Sequence, residues 1–400
     1  MKRKVRNILE KVAEGLLFSS STVTSLTVLL IILFLFKEGL GIFNATSVDR
    51  NHVLAVNPAN PVSQLSTRQI GAIFNRDILY WDKVGGTHDS IILFTINDIG
   101  NYYTGEELGA DFEFLPQKID ELIANHPGMI AYFPEIYLAE DFQGRLLPHN
   151  KIGIAEFFGG KAWYPTSEPA AQFGILSLVL GTLWVTLGAI LIALPIGIVT
   201  AIYIGEVAHP RIRSFFKPLI ELLAGIPSVV YGFFGLVIIV PLIQRAFNLA
   251  VGETALAGSI VLAIMALPVI ITISEDAIRT TPVSLKEASL ALGASHWQTI
   301  TRVVIPYSRS GIIAAFILGI GRAIGETMAV LMVTGNAAMI PATFLEPVRT
   351  IPATIAAELG EAPFGGTHFK ALFALGIILF IITFAFNTMV EFIRPGKSKQ

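Results

Sequence analysis

The stretch Glu275 to Gly311 reads EDAIRTTPVSLKEASLALGASHWQTITRVVIPYSRSG, and the organisation of the whole chain turns on it. It is amphipathic and carries Arg279, Lys286, Arg302 and Arg309. Small residues cluster at Ala288, Ser289, Ala291 and Ala294, Gly293 interrupts the helical pattern, and Pro306 precedes a long apolar run. The pattern predicts a helix, a glycine turn, a second helix, and a proline at re-entry into an apolar medium. Alanine and serine permit close approach of another protein surface, and Glu287 stands ready at one end. The same composition suits an interfacial helix lying on lipid headgroups. Read physically, the stretch leaves both possibilities open.

Outward from this loop the chain is unusually apolar. Hydrophobic residues make up 53% of its 400 positions and charged residues 14%, with a mean hydropathy of +0.66. Soluble domains carry about a quarter charged residues, so much of this chain has a solvent other than water. Six runs are long enough to cross a hydrocarbon core, which takes about 20 residues. They are Leu16 to Phe36, a run within Phe173 to Gly205, Leu222 to Gln244, Thr254 to Ser274, Ser310 to about Val333, and Ala371 to Val390. Arg322 and Glu326 interrupt the fifth. The first run is too long for a signal-peptide core and no A-x-A site follows it, so a retained anchor is expected. Gly225, Pro227, Gly232 and Gly235 lie early in the third run, where Pro227 suggests a kink and the glycines a tight crossing.

Positive charge orders these runs. It is dense at Lys2, Arg3, Lys4, Arg6 and Lys11, at Arg211, Arg213 and Lys217, within the quoted loop, and at Arg394, Lys397 and Lys399. The alternate short connections hold only Arg245, then Arg349 and Lys370. Every second connection is basic, which places both termini and the quoted loop in the cytoplasm. Lys37 to Glu168, the polar stretch between the first two spans, then falls outside. It is long enough for a small α+β domain, with a short amphipathic helix at Ser66 to Phe74 and a buried strand at Ile91 to Ile96.

Several chemistries are excluded or unsupported. There is no cysteine, hence no disulfide, thiolate metal site or cysteine nucleophile. His52, His88, His126 and His149 are scattered, and neither a metal site nor a cofactor is expected. Gly396-Lys397-Ser398 imitates the end of a nucleotide-binding loop, but Glu391 stands where its first glycine belongs and no strand precedes it. The chain does not hydrolyse ATP itself, and no nucleophile–base constellation makes it an enzyme.

Glu287-Ala288, then Gly293, then Ile305-Pro306 resembles the EAA motif of ABC importer permeases, with Ser289 in place of the motif's second alanine. The resemblance implies a six-span, type I importer-like helical permease whose cytoplasmic loop docks on a separate ATPase through Glu287, Ala288, Gly293 and Pro306. IELLAGIPSVVYGFFG (Ile220 to Gly235), SEDAIRTTPVSLKEASLALGAS (Ser274 to Ser295) and GRAIGETMAV (Gly321 to Val330) resemble phosphate permeases of the PstC/PstA pair. FFGGKAWYP with FGILSLVLGTL, between Phe157 and Leu183, is nearer the PstC type. The implied partners are a PstA-like second permease, a PstB-like ATPase dimer and a PstS-like extracytoplasmic phosphate-binding protein, in a bacterial inner membrane. In that setting the Asn44-Ala45-Thr46 sequon is accidental.

The implied organisation is a cytoplasmic N-terminus (1–15), a first span (16–36), the extracytoplasmic insert (37–168), a permease core of five spans (169–393) with its coupling loop (275–309), and a cytoplasmic tail (394–400). Within the insert, Asn60 to Gly86 and His126 to Tyr137 resemble parts of a phosphate-binding protein. The phosphate-gripping residues of such proteins are replaced by INDIGNYYTGEE (Ile96 to Glu107), so a docking or spacer role is expected.

An ionisable residue in a membrane helix costs about 2.5–3.5 kcal/mol on insertion scales. Arg322 and Glu326 are four apart and are expected to share a helix face and pair. They knit helices together, or Arg322 offers its planar fork of donors to phosphate with Glu326 holding the fork between events; the resemblance favours the second. Gly321-x-x-x-Gly325 fits a packing pattern too common to be informative. Another oxyanion, phosphonate or sulfate, fits the spans equally well. A membrane receptor using the insert as a sensor lacks a cytoplasmic signalling domain.

Overall fold

The computed structural model describes residues 2–49, 51–148 and 151–393. His149, Arg394, Lys397, Lys399 and the Gly396 triplet therefore lie outside the described residues. Sixteen α-helices occur among the described residues. Those of the N-terminal part are α1 (Lys2–Leu40), α2 (Thr67–Phe74), α3 (Gly105–Leu108), α4 (Leu115–Asn125) and α5 (Ile154–Gly159). The membrane part holds α6 (Leu176–Ile202), α7 (Pro210–Ala224), α8 (Ser228–Phe234), α9 (Val240–Phe247) and α10 (Ala255–Arg279). After them come α11 (Val283–Ala291), α12 (His296–Thr299), α13 (Ile305–Gly325), α14 (Met328–Val333), α15 (Ile351–Glu358) and α16 (Thr367–Ile393).

Six helical segments are long and apolar enough to cross a membrane: Ala13–Asn44, Leu176–Val207, Ser228–Phe247, Ala255–Arg279, His296–Gly325 and Thr367–Met389. α6 and α10 form the central pair. Ala189, Ala193, Ala263 and Ala266, all buried, let the two backbones close up without a hydrophobic driving force from lipid. Ser259 Oγ donates back to Ala255 O at 2.8 Å and lies 3.2 Å from Val185 O across the interface, so the buried hydroxyl is satisfied. α1 meets the bundle near its C-terminal end, on α16. Phe34 packs edge-on against Phe373 at 5.4 Å, and a Cβ on Gly39 would lie 2.9 Å from Ala374 N. Only glycine allows that approach.

Two spans, the third and the fifth, depart from the sequence expectation in their bounds. The third span does not begin at Leu222, because α7 ends at Ala224 and a new helix starts at Ser228. Pro227 is not a kink: it is the N-cap of α8, with extended backbone (φ −59°, ψ 143°). A residue preceding proline avoids helical dihedrals and proline has no N–H to donate, so Gly225-Ile226-Pro227 separates two helices. The fifth span starts near His296 and ends at Gly325, leaving Met328–Val333 as a separate helix. Pro306 marks no re-entry break either. The π turn Ile300–Val304 widens the helix just before it, and α12 runs through that turn into α13.

The insert is built on a mixed sheet of order β2-β3-β1-β4, with β1 His52–Val56, β2 Ile92–Thr95, β3 Met129–Pro134 and β4 Arg145–Leu147. β1 pairs antiparallel with β3 and β4, and β2 pairs parallel with β3. Side chains alternate between two cores. Leu54, Val56, Ile130 and Tyr132 face α2 and Trp81, whereas Val53, Ala55, Ala131 and Phe133 face α4. Both sheet faces are covered, which is why the central strands read as continuous apolar runs. α2 starts at the expected Ser66, whose hydroxyl accepts from Gln69 N while Gln69 Oε1 accepts from Ser66 N at 2.9 Å.

The insert is seated on one end of the bundle. Ile152 N donates to Ala45 O at 3.0 Å and Ala171 N to Ser47 O at 2.9 Å. A short hairpin of β5 (Trp163–Tyr164) and β6 (Gln172–Phe173) packs Trp163 and Phe173 with Ile351, Leu372 and Leu375 from α15 and α16.

Candidate functional site

The quoted loop folds as a helical hairpin. α11 gives way at Leu292 and Gly293 adopts φ +86°, a conformation costing an L residue about 1–2 kcal/mol. A Cβ there would meet nothing within 4 Å, so backbone geometry rather than space calls for glycine. α12 then opens with a capping box, Ser295 N donating to Gln298 Oε1 at 2.8 Å and Gln298 N to Ser295 Oγ at 3.2 Å. The hairpin is closed by Ser289 and Thr299, whose hydroxyl oxygens lie 3.0 Å apart. Ser289 thus uses the oxygen that the motif's alanine lacks.

Its outer surface is bare. Val283, Leu285, Leu290, Leu292 and Trp297 are exposed, Leu292 at 90%. Glu287 and Ala288 are exposed beside them, and no ion pair or hydrogen bond involves the Glu287 carboxylate among the described residues. Glu287, Ala288 and Gly293 are thus all exposed on the hairpin. Pro306 does not belong to it, being placed beyond the π turn on α13.

Behind the hairpin lies a charge network that sequence reasoning did not single out. Glu275, only 2% exposed in α10, accepts from Arg213 at 2.5 Å and from Lys217 at 2.7 Å, with Arg279 at 3.7 Å. The Glu275 hydrogen bond, opposed by burial and aided by Asp276, holds the Lys217 ammonium above its usual range. Lys286 of α11 pairs with Glu206, in the π turn Tyr203–Val207 that ends the second span.

The expected Arg322–Glu326 pair does not form. α13 stops at Gly325 and Glu326 is extended (φ −70°, ψ 131°), so the four-residue spacing no longer means one helix face. Glu326 Oε1 instead accepts from Ala329 N at 3.3 Å, capping α14. Arg322 is half-buried, and among the described residues no carboxylate pairs with it. Gly321 and Gly325 beside it are exposed, and a Cβ on either would meet nothing within 4 Å. That face of the fifth span is uncovered, and the small-residue pattern does no packing within this chain.

At the insert end a second buried cluster ties the domains together. Glu358 accepts from Trp163 Nε1 at 2.9 Å and from Arg349 at 2.9 Å, with His368 Nε2 at 2.8 Å. Burial pushes its carboxyl up, but the His368 and Trp163 hydrogen bonds and the Arg349 charge outweigh burial, and the net shift is downward. Within the insert, the places expected to lack phosphate donors hold the chain's own carboxylates. Asp98 takes Thr95 N at 2.9 Å and Thr95 Oγ1 at 2.7 Å; Glu107 takes Thr104 N at 2.7 Å and Thr104 Oγ1 at 2.9 Å.

Six apolar spans, a presented helical hairpin and a half-buried arginine inside a span define a polytopic membrane transport subunit. The chain belongs to the family of binding-protein-dependent transport system inner membrane components, whose model matches residues 193–399. It is 39% identical over 249 residues to the probable ABC transporter permease protein YqgH of Bacillus subtilis, covering 62% of this chain and 80% of that protein. It is 40% identical over 247 residues to the phosphate transport system permease protein PstC of Mesorhizobium japonicum, covering 57% of this chain and 74% of that one. A solved structure of the MetNI methionine ABC transporter in inward-facing form aligns at TM-score 0.41 and 21% identity, over 56% of this chain and 95% of its own.

Proposed function

We propose that this chain is the PstC-type permease subunit of an ATP-driven importer and that its cargo is inorganic phosphate. Arg322 carries the reading: a half-buried guanidinium in a membrane span, with no carboxylate partner among the described residues, between exposed Gly321 and Gly325, where a Cβ would meet nothing within 4 Å. An unpaired charge there is retained only where a pathway or a neighbouring subunit meets it. Its planar fork of donors fits two oxygens of a tetrahedral anion. Glu326 holds the α13–α14 break that sets where the fork points, rather than holding the fork itself. The PstC name carried by similar permeases supports phosphate over other oxyanions.

The remaining parts follow from that role. The hairpin α11–α12 faces the cytoplasm and offers Glu287, Ala288 and the exposed leucines to a PstB-like ATPase dimer. Span faces left open here are completed by a PstA-like second permease, and a PstS-like binding protein delivers phosphate on the opposite side. Both termini are cytoplasmic and the insert is extracytoplasmic, in the bacterial inner membrane. With its turn amides occupied by Asp98 and Glu107, the insert serves as a docking or spacer domain. Phosphate uptake by the reconstituted complex tests the proposal: Arg322→Gln abolishes uptake while the chain still inserts and assembles with the ATPase. Uptake at the normal rate would refute it.

A further inference from the structure

Among the described residues, three side-chain polar contacts fix Thr281 and α11 to their surroundings, and they differ in kind. Thr281 and Ser308 hydroxyls, both buried, lie 3.2 Å apart, and Ser289 meets Thr299 at 3.0 Å. These are neutral contacts joining the loop to itself and to the fifth span. The third is the ion pair of Lys286 with Glu206, whose side chains are 23% and 6% exposed. Among the described residues it is the one polar side-chain contact that joins α11 to the second span. Glu206 sits in a π turn directly continuous with α6, which runs the thickness of the membrane and packs along α10 and α13.

Ion pairs withdrawn from water resist separation more than hydroxyl contacts, because each partner left alone keeps its desolvation cost. The surroundings also leave room for movement. A cleft of about 510 Å³ opens beside Glu206, bounded by Pro210, Arg213, Lys217 and Glu221 of α7, so the pair shifts without repacking a core. We propose that Lys286–Glu206 is the strut through which displacement of the coupling hairpin moves the second span. Glu206 is then a positioning residue for transport, not a group that touches cargo or nucleotide. The inference rests on reading α11 as the ATPase-docking helix.

The test measures phosphate uptake per ATP hydrolysed in the reconstituted complex, together with ATPase capture, for Glu206→Gln, Lys286→Met and the exchanged pair Glu206→Lys/Lys286→Glu. Each single variant still captures the ATPase and hydrolyses ATP within about twofold, but uptake per ATP falls about tenfold, within the usual span of coupling energies. The exchanged pair recovers at least half of it. Unchanged uptake per ATP in the single variants overturns the strut. So does loss of capture and uptake together with no recovery in the exchanged pair, which is the signature of a fold-holding contact. Failure of the unmutated chain to capture any ATPase would bring down the docking reading itself, and is seen separately in the capture arm.

Discussion

Glu275→Gln is the sharpest probe of what holds the hairpin end of the bundle together. In the native chain this carboxylate is 2% exposed and receives Arg213 at 2.5 Å and Lys217 at 2.7 Å. Removing one member of a buried ion pair costs about 3–5 kcal/mol, since the partner is left charged and desolvated. Here Arg213 and Lys217 keep 23% and 30% exposure, so water takes up part of the released charge and about 2–3 kcal/mol is expected. At roughly 2–4 °C per kcal/mol for a core of this size, the melting point falls by about 4–12 °C. Asp276→Asn is the control. That carboxylate is 61% exposed and, among the described residues, pairs only with Lys217, at 3.1 Å, so its loss costs about 0.5 kcal/mol or less. Thermal unfolding of both variants in the same detergent decides. Equal shifts would show that burial of Glu275 confers nothing, and that the α7–α10 contact rests on apolar packing.

The insert clamp should loosen in acid. Glu358 titrates below its usual 4.5 in the folded chain; its contribution is therefore complete above that value and drains away as pH falls through the lowered one. Limited proteolysis of the insert should accelerate between pH 7 and about pH 3, and Glu358→Gln should be cut quickly at both; a pH-independent rate in the native chain would contradict the assignment. Gly293→Val forces a β-branched residue to φ +86°, and should lose about 1–2 kcal/mol and ATPase capture together, whereas Glu287→Ala should lose capture with a melting point unchanged within error. Titrating phosphate into the Arg322→Gln chain isolates the insert, and micromolar binding there would show that Asp98 and Glu107 do not occupy its oxyanion seats.

Much of the architecture was legible because lipid leaves a strong imprint. A charge-free run has few alternatives to a membrane helix, so the six spans emerged from composition alone, and Ser66 with Gln69 announced a helix start through local hydrogen bonding. Gly293 was equally plain, since only a turn calls for a glycine amid helix formers. What escaped was relational. Glu206, Glu275 and Glu358 look like ordinary charges at span ends, and nothing in a one-dimensional pattern says that Lys286 reaches the first, Arg213 the second or Trp163 the third. Arg322 and Glu326 misled for the opposite reason. Their spacing implies a shared face only while the helix continues, and it stops at Gly325. Pro306 suggested a break where a π turn upstream absorbs the ring.

The most direct measurement is ATP hydrolysis by the partner ATPase in proteoliposomes containing this chain, the second permease and the phosphate-loaded binding protein. Hydrolysis should rise when phosphate is supplied, stay flat with sulfate, and lose its response in Gly293→Val. A rate indifferent to phosphate, or a response that survives disruption of the hairpin, would contradict the account.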